Sequence, residues 1–356
     1  MYTILFIETF LYVCGNSAIL LNNIHSIYGK STFLHFSEGL VHIVYIDYLK
    51  LAASYENNCA VDEITDDKLE SMFDKLEEQY GGYCFDEDYE KKVFNTWSVN
   101  DFFQSVVSNK FVYFGEYWYD NGGLPSILVN YLKTHELNIF EYLDKDKFLK
   151  VSSDDFKNPT ALTTINQNVL MCQTGYLTLR SDLNKTSTVA LGIPNGEIYK
   201  ALNRLLANNI FKGNTDITDD YGRSLLEVGT VDDIINLFNS ALNSVSYDNY
   251  PIVSESSVQN MLKLYLLGAH QKVLSEVHEA KGRADLVVNT DNRRIVFEFK
   301  YAKNETEAKS KLLDAVEQIK TRDYGNIVPN KTELLRIAAV FNADPKVRAF
   351  TEYQSV

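Results

Sequence analysis

Near the end of the chain, GRADLVV at residues 282–288 and RIVFEFK at residues 294–300 stand on either side of a short polar stretch, a pattern that reads as one β-hairpin. Strand side chains alternate between faces, so the register of such a hairpin decides which residues meet. With residues 289–292 as the turn, Val288 pairs with Arg293 and Asp285 falls opposite Val296. Glu298 is then the diagonal neighbour of Asp285, and Lys300 follows on the same side. The other face carries Leu286, Val288, Ile295, Phe297 and Phe299, an unbroken apolar surface that fixes the register, because a slip of one residue would bury the charges.

Two carboxylates and an ammonium held on a rigid ribbon suit hydrolysis of a phosphodiester. Carboxylate oxygens are hard ligands for Mg²⁺, which binds through a few acids plus water and neutralises charge on a phosphate. A lysine beside them orients or deprotonates the attacking water, or stabilises the transition state. An isolated Glu-x-Lys on a strand is more often a solvated surface pair. Here the spacing Asp-x(12)-Glu-x-Lys, the Gly282-Arg283 lead-in and the clean apolar face all agree.

Asp285, Glu298 and Lys300 in this arrangement resemble the PD-(D/E)XK nuclease superfamily, with Ala284 where the family's proline often stands. The resemblance implies an α/β fold with an αβββαβ core over residues 251–356. Its elements would be a first helix at 254–269, the hairpin, a second helix at 305–325 with Ala308, Leu312, Ala315 and Ile319 on one stripe, and a last strand at 333–343. It implies Mg²⁺ or Mn²⁺ as cofactor, bound by Asp285 and Glu298 with the Phe299 carbonyl and Glu255 as further ligands. Glu276, on the strand before the hairpin, competes with Glu255 for that place. Lys300 would act on the water or the transition state with help from Gln318, and Arg283, Lys303, Lys320 and Tyr324 would contact nucleic acid, with DNA as the expected substrate. The alternative is a catalytically silent interaction module that keeps the fold.

Charge bears on this expectation. The formal net charge of −14 opposes a nucleic-acid partner, but residues 251–356 hold 16 Lys and Arg against 14 Asp and Glu, so the acidity belongs to the first 250 residues. Nine basic residues of the rear segment, Arg293, Lys309 and Lys311 among them, are candidates for phosphate contacts, although solvated faces account for most such residues. The acidic front is the candidate surface for a protein partner.

Before Pro251, the segments YGGYCFDED, VFNTWSVNDFF, EYWYDNGGLPSILVNYL, QTGYLTL, LGIPNGEI and SYDNYP resemble bacterial AAA-ATPase-like proteins that end in such a nuclease domain. On that resemblance residues 1–150 form a truncated, mainly helical remnant with aromatic packing around Trp97 and Trp118. Residues 151–212 form a winged-helix-like unit whose hairpin joins YLTLR to STVALGI, and residues 213–250 form a helical connector. The unit lacks a basic recognition helix, which favours protein docking over DNA reading. ATP binding is not expected. YGKST at 28–32 has Ile24 where a P-loop needs glycine, and HIVYIDY at 42–48 only imitates a strand ending in a metal-binding aspartate.

The four cysteines lack CxxC spacing, so reduced structural thiols and a cytoplasmic location are expected. The apolar first 21 residues contain Glu8 and Asn16 and no Lys or Arg, which argues for a buried strand or helix over a membrane span, with a secretion signal as the alternative.

Overall fold

The computed structural model describes residues 45–84, 89, 92–120, 126–133, 135, 137–158, 161, 164–181, 187–211, 220–269, 271–279, 282–322 and 333–356. The chain divides into two units, Met1–Leu137 with Asp144–Ala201, and Asn138–Leu143 with Leu202–Val356. The apolar N-terminal stretch and YGKST lie outside the described residues. Asp47 sits in the first turn of a helix, where no strand could present it to a nucleotide. Among the described residues, no helix is long and apolar enough to cross a membrane.

In the first unit, helices α1 (Ile46–Asn57), α2 (Asp66–Tyr80) and α3 (Thr96–Asn109) bury one face each in a shared core of Leu49, Ala53, Met72, Phe73, Leu76, Phe102 and Val106. The two-residue strands β1 (Tyr83–Cys84) and β2 (Lys92–Val93) pair between α2 and α3, and short helices α4 (Tyr117–Asp120) and α5 (Ser126–Leu132) follow. Aromatic packing centres on Tyr80, whose ring meets Phe102, Phe114 and Tyr117 at 5.9 to 6.2 Å. Of the two tryptophans, Trp97 is half-buried and Trp118 stands edge-on to Tyr176.

The hairpin expected from YLTLR and STVALGI is present as β4 (Thr178–Leu179) and β5 (Thr188–Gly192). It is joined by β3 (Leu149–Ser152) in the order β3-β5-β4, with α6 (Ser153–Lys157) and α7 (Gln167–Gln173) in the intervening chain. The division between units falls inside α8 (Gly196–Ile210). In its first turn Glu197, with no exposed surface, accepts from Ser98 Oγ at 2.6 Å and Trp118 N at 2.9 Å, tying α3 and α4 together. Burial raises its carboxyl to about 7 against those two hydrogen bonds.

In the second unit, α11 (Glu255–Gly268) leads into strands β6 (Lys272–Glu279), β7 (Gly282–Asn289) and β8 (Arg293–Ala302), followed by α12 (Glu305–Arg322) and β9 (Glu333–Asn342). This is the expected αβββαβ order. A further strand, β10 (Ala349–Ser355), completes a sheet ordered β10-β9-β8-β7-β6. Only the β8–β9 pair is parallel, because α12 carries the chain back across the sheet between them.

Both faces of the sheet are covered. Ala315, Val316 and Ile319 of α12 pack on Val287, Val296 and Ala338, while Phe238 meets Phe297 at 5.3 Å on the other side. Phe238 belongs to α10 (Val231–Ser244), which follows α9 (Asp220–Val228) and starts at a capping box between Thr230 and Asp233. The acidic stretch read as a connector therefore supplies a cover for the sheet. Arg293, a candidate phosphate contact in the sequence, is only 8% exposed and is held by Glu333 at 2.9 Å and the Gly229 carbonyl at 2.8 Å.

The seat of α11 depends on Gly268, where an added Cβ would lie 2.3 Å from the Ala207 Cβ of α8. An exposed helical Gly→Ala change stabilises by about 1 kcal/mol, whereas overpacking a closed contact costs about 1–3 kcal/mol. The clash should win. Urea unfolding is expected to show Gly268→Ala destabilised by about 1–2 kcal/mol, with much of the loss recovered when Ala207→Gly is added.

Candidate active site

The hairpin turns one residue later than its sequence suggested. Val288 pairs with Ile295 and Asn289 with Arg294, so the turn is residues 290–293, closed by Thr290 N donating to Arg293 O at 2.9 Å and Arg293 N donating to Thr290 Oγ1 at 3.0 Å. The expected pairing of Val288 with Arg293 is thus off by two residues. A shift of two returns every side chain to its own face, so the grouping of Asp285, Glu298 and Lys300 survives. What changes is that Asp285 comes level with Glu298.

The β7–β8 ladder runs from Asn289↔Arg294 to Leu286↔Phe297, while β7 continues beside β6 through Ala284↔Val277 to Gly282↔Glu279. Where the β7–β8 pairing ends, Asp285 Oδ2 takes the place of a backbone acceptor and receives the Phe299 N–H at 2.8 Å. In an extended strand the N–H and C=O of one residue point to the same side, so the Phe299 carbonyl also faces this opening. The chemistry gathers in that notch.

Glu298 is fully buried on the face covered by α12. One of its oxygens accepts from Lys300 Nζ at 2.7 Å, and the other, Oε2, is buried without a hydrogen-bond partner. Glu255, at the start of α11, lies 3.6 Å from Lys300 Nζ, with two-fifths of its side chain exposed. Gln259, one turn further along α11, hydrogen-bonds Asp285.

The charges act on one another strongly. Burial and the neighbouring Asp285 push the Glu298 carboxyl up to about 7, against the opposing effect of Lys300. Burial also raises Asp285, although the Phe299 N–H and Lys300 work the other way. For Lys300, burial opposes the charge, but Glu298, Glu255 and Asp285 overcome it and hold the ammonium above the usual lysine value. Three acids facing one ammonium carry a formal charge of about −2 when all are ionised, a field that favours a divalent cation.

The sequence candidates separate accordingly. Asp285, Glu298, Lys300, Glu255 and the Phe299 backbone meet in the notch. Gln318 is half-buried on α12 and is not among the groups that shift the three titrations. Arg283, Lys303 and Lys320 are exposed, and Tyr324 lies outside the described residues. Lys311 is engaged in structure, donating to the Tyr301 carbonyl at 2.6 Å and pairing with Glu307 at 2.8 Å. Glu276 occupies the β6 position between the partners of Leu286 and Ala284, across from Asp285, and its side chain is outside the described ones.

Gln259 was missed. Its signal was the spacing of four from Glu255, which places both on one side of α11. Among the described residues, no three His, Cys, Asp or Glu side chains converge closely enough to hold a metal by themselves. Two carboxylates and a carbonyl still fit magnesium, which keeps most of its waters, and the unpartnered Glu298 oxygen is the acceptor such an ion would use.

A carboxyl raised by burial leaves folding unpenalised below its ordinary value, near 4.5, and costs stability as pH climbs through about 7. In EDTA, Glu298→Gln should therefore be more stable than the parent by about 1–2 kcal/mol at pH 8 and close to it at pH 4.5, measured by urea unfolding. Added Mg²⁺ should stabilise the parent at pH 8 and leave the Glu298→Gln variant unmoved.

Comparison with curated proteins gives no match for the chain. Its rear segment does match a known family: residues 253–351, which hold α11, the diverging strands, α12 and β9, fit the family model of the PD-(D/E)XK nuclease superfamily.

Proposed function

We propose that this protein is a divalent-metal-dependent nuclease that hydrolyses phosphodiester bonds, with DNA as its substrate. The observation that carries the reading is the buried, half-satisfied Glu298 carboxylate beside Asp285 and Lys300, within the segment that fits the nuclease family. Asp285 and Glu298 are the residues to hold Mg²⁺ or Mn²⁺, joined by the Phe299 carbonyl. When bound, the ion supplies charge neutralisation at the scissile phosphate and a more acidic water.

The chain's own groups do the rest. The Phe299 N–H and Gln259 fix the Asp285 carboxylate beside the opening. Because its neighbours hold Lys300 protonated, its first role is to stabilise negative charge on the phosphate as the bond breaks; taking a proton from water would require giving up that charge. Glu255 keeps the ammonium near the opening. Arg283, Lys303 and Lys320, exposed on the same unit, suit contacts to the substrate backbone.

The acidic first unit suits a protein partner better than a nucleic acid, and the resemblance of its segments to AAA-ATPase-like proteins supports a regulatory or docking role in the cytoplasm. A second reading, a silent module with the nuclease fold, draws support from the Lys300–Glu298 contact at 2.7 Å, an ion pair that answers one of the acids from within the chain.

Plasmid incubated with the full chain separates the two. Cleavage in Mg²⁺ or Mn²⁺, abolished by EDTA and reduced at least about a hundredfold by Glu298→Ala and by Lys300→Ala, is expected. Parent protein that binds metal yet cuts neither DNA nor RNA, or cleavage that survives Glu298→Ala, would overturn the nuclease reading.

A further inference from the structure

One cation of the second unit is placed in a way that the sheet does not require. Arg348 has φ 43°, in the left-handed region where glycine sits freely and other side chains are strained. It closes a single turn, with Val347 N and Arg348 N both donating to the Asp344 carbonyl at 2.8 and 3.0 Å. Asn58 and Lys110 adopt similar angles as helix caps, a common use of that conformation. At Arg348 the strain instead delivers a large charged side chain to a chosen place.

The Arg348 Cζ sits over the Tyr247 ring, 3.5 Å from its centroid, and the Nε is buried without a hydrogen-bond partner. In a chain with 48 acidic residues, none of the ion pairs among the described residues includes Arg348. The nearby Asp344 carboxylate accepts from Lys346 N instead. An arginine whose carbon centre stacks on an aromatic ring can still turn its terminal pair of Nη atoms outward, and that pair matches two phosphate oxygens.

Its position gives the stacked pair a direction. β8 and β9 run in parallel, with Lys300 beside Val340, Tyr301 beside Phe341 and Ala302 beside Asn342, and the Ala343 N–H extends the ladder to the Ala302 carbonyl. The turn bearing Arg348 therefore leaves the sheet at the end where Lys300 lies. Tyr301, next to Lys300 in the chain, faces the other side of the sheet, where its ring meets Phe341, and is close enough to Tyr247 for the two phenols to interact, so the stacked pair shares the notch's end of the sheet but lies on its opposite face.

We propose that Arg348, stacked on Tyr247 and neighboured by Tyr301, forms a subsite that grips a phosphate of the nucleic-acid strand where the strand passes round the end of the sheet, away from the bond being cut. The subsite rests on the nuclease reading and adds a strand-holding contact that the metal-binding acids do not provide. Strand affinity is set here by a rigid fork, while the exposed lysines contribute loosely placed charge.

The test uses the full chain in a Glu298→Gln background, with anisotropy of a labelled oligonucleotide, single-stranded and duplex, read at several salt concentrations. Arg348→Ala should weaken binding about tenfold and lower the slope of log K against log salt by about one, and Arg348→Lys should recover only part of the loss. In the active parent, Arg348→Ala should raise KM with little change in kcat. Unchanged affinity in a folded Arg348→Ala protein overturns the subsite. If that variant does not fold, Arg348→Lys decides, and an affinity equal to the background's overturns it too. Competition by polyglutamate at or below the concentration of oligonucleotide needed assigns the surface to an acidic protein and also overturns it. A chain that binds and cuts nucleic acid regardless of Arg348 removes the subsite alone, whereas one that neither binds nor cuts removes the nuclease reading with it.

Discussion

The pairing of Lys300 with a Glu298 that has no exposed surface is the interaction around which the C-terminal unit is arranged. An ionised carboxylate in that position is costly unless a positive charge answers it, and one ammonium answers only one of its two oxygens. The rest of the notch follows from that imbalance. Asp285 is fastened by a backbone N–H, Glu255 balances the ammonium from the start of α11, and the remaining negative charge is left for a cation. On the proposed reading, stability and function pull apart at this point, as they do wherever a site is kept partly unsatisfied.

The sheet makes such a site tolerable. Helices α12 and α10 bury its two faces with Ala315, Val316 and Ile319 on one side and Phe238 on the other, so the scaffold is dry and stiff on both sides of the charged residues. The opening arises where β7 stays with β6 and leaves β8, a break in pairing that frees the Phe299 backbone for a side-chain partner. Parallel pairing of β8 with β9 then brings the turn bearing Arg348 to the same end of the sheet. The proposed strand-holding arginine and the proposed metal-binding pair can thus share one rigid frame without competing for the same charge.

Glu197 in the first unit offers an instructive contrast. It is equally buried and is also raised to about 7, yet both its oxygens are taken, one by Ser98 and the other by the Trp118 N–H. That acid serves as a structural tie. Glu298 differs through the oxygen left over, and buried carboxylates are better sorted by unmet hydrogen bonds than by the size of a pKa shift.

Local pattern determined a good deal. The alternation in GRADLVV and RIVFEFK was enough to place Asp285, Glu298 and Lys300 on one face, and it survived a register error of two because the strand period is two. The stripe of Ala308, Leu312, Ala315 and Ile319 likewise announced α12, since helical spacing is local. Long-range packing decided the remainder. No pattern within the hairpin could tell that Val287 and Val296, beside the acids, would be buried under α12, that residues 231–244 would cover the sheet, or that Arg293 would be engaged by Glu333. Gln259 and Arg348 gained their meaning only when residues distant in sequence, Asp285 and Tyr247, came to face them. Periodicity is written in the order of neighbouring residues, whereas contact between separate elements depends on how their surfaces are brought together, and that is where the unpaired oxygen of Glu298 was created.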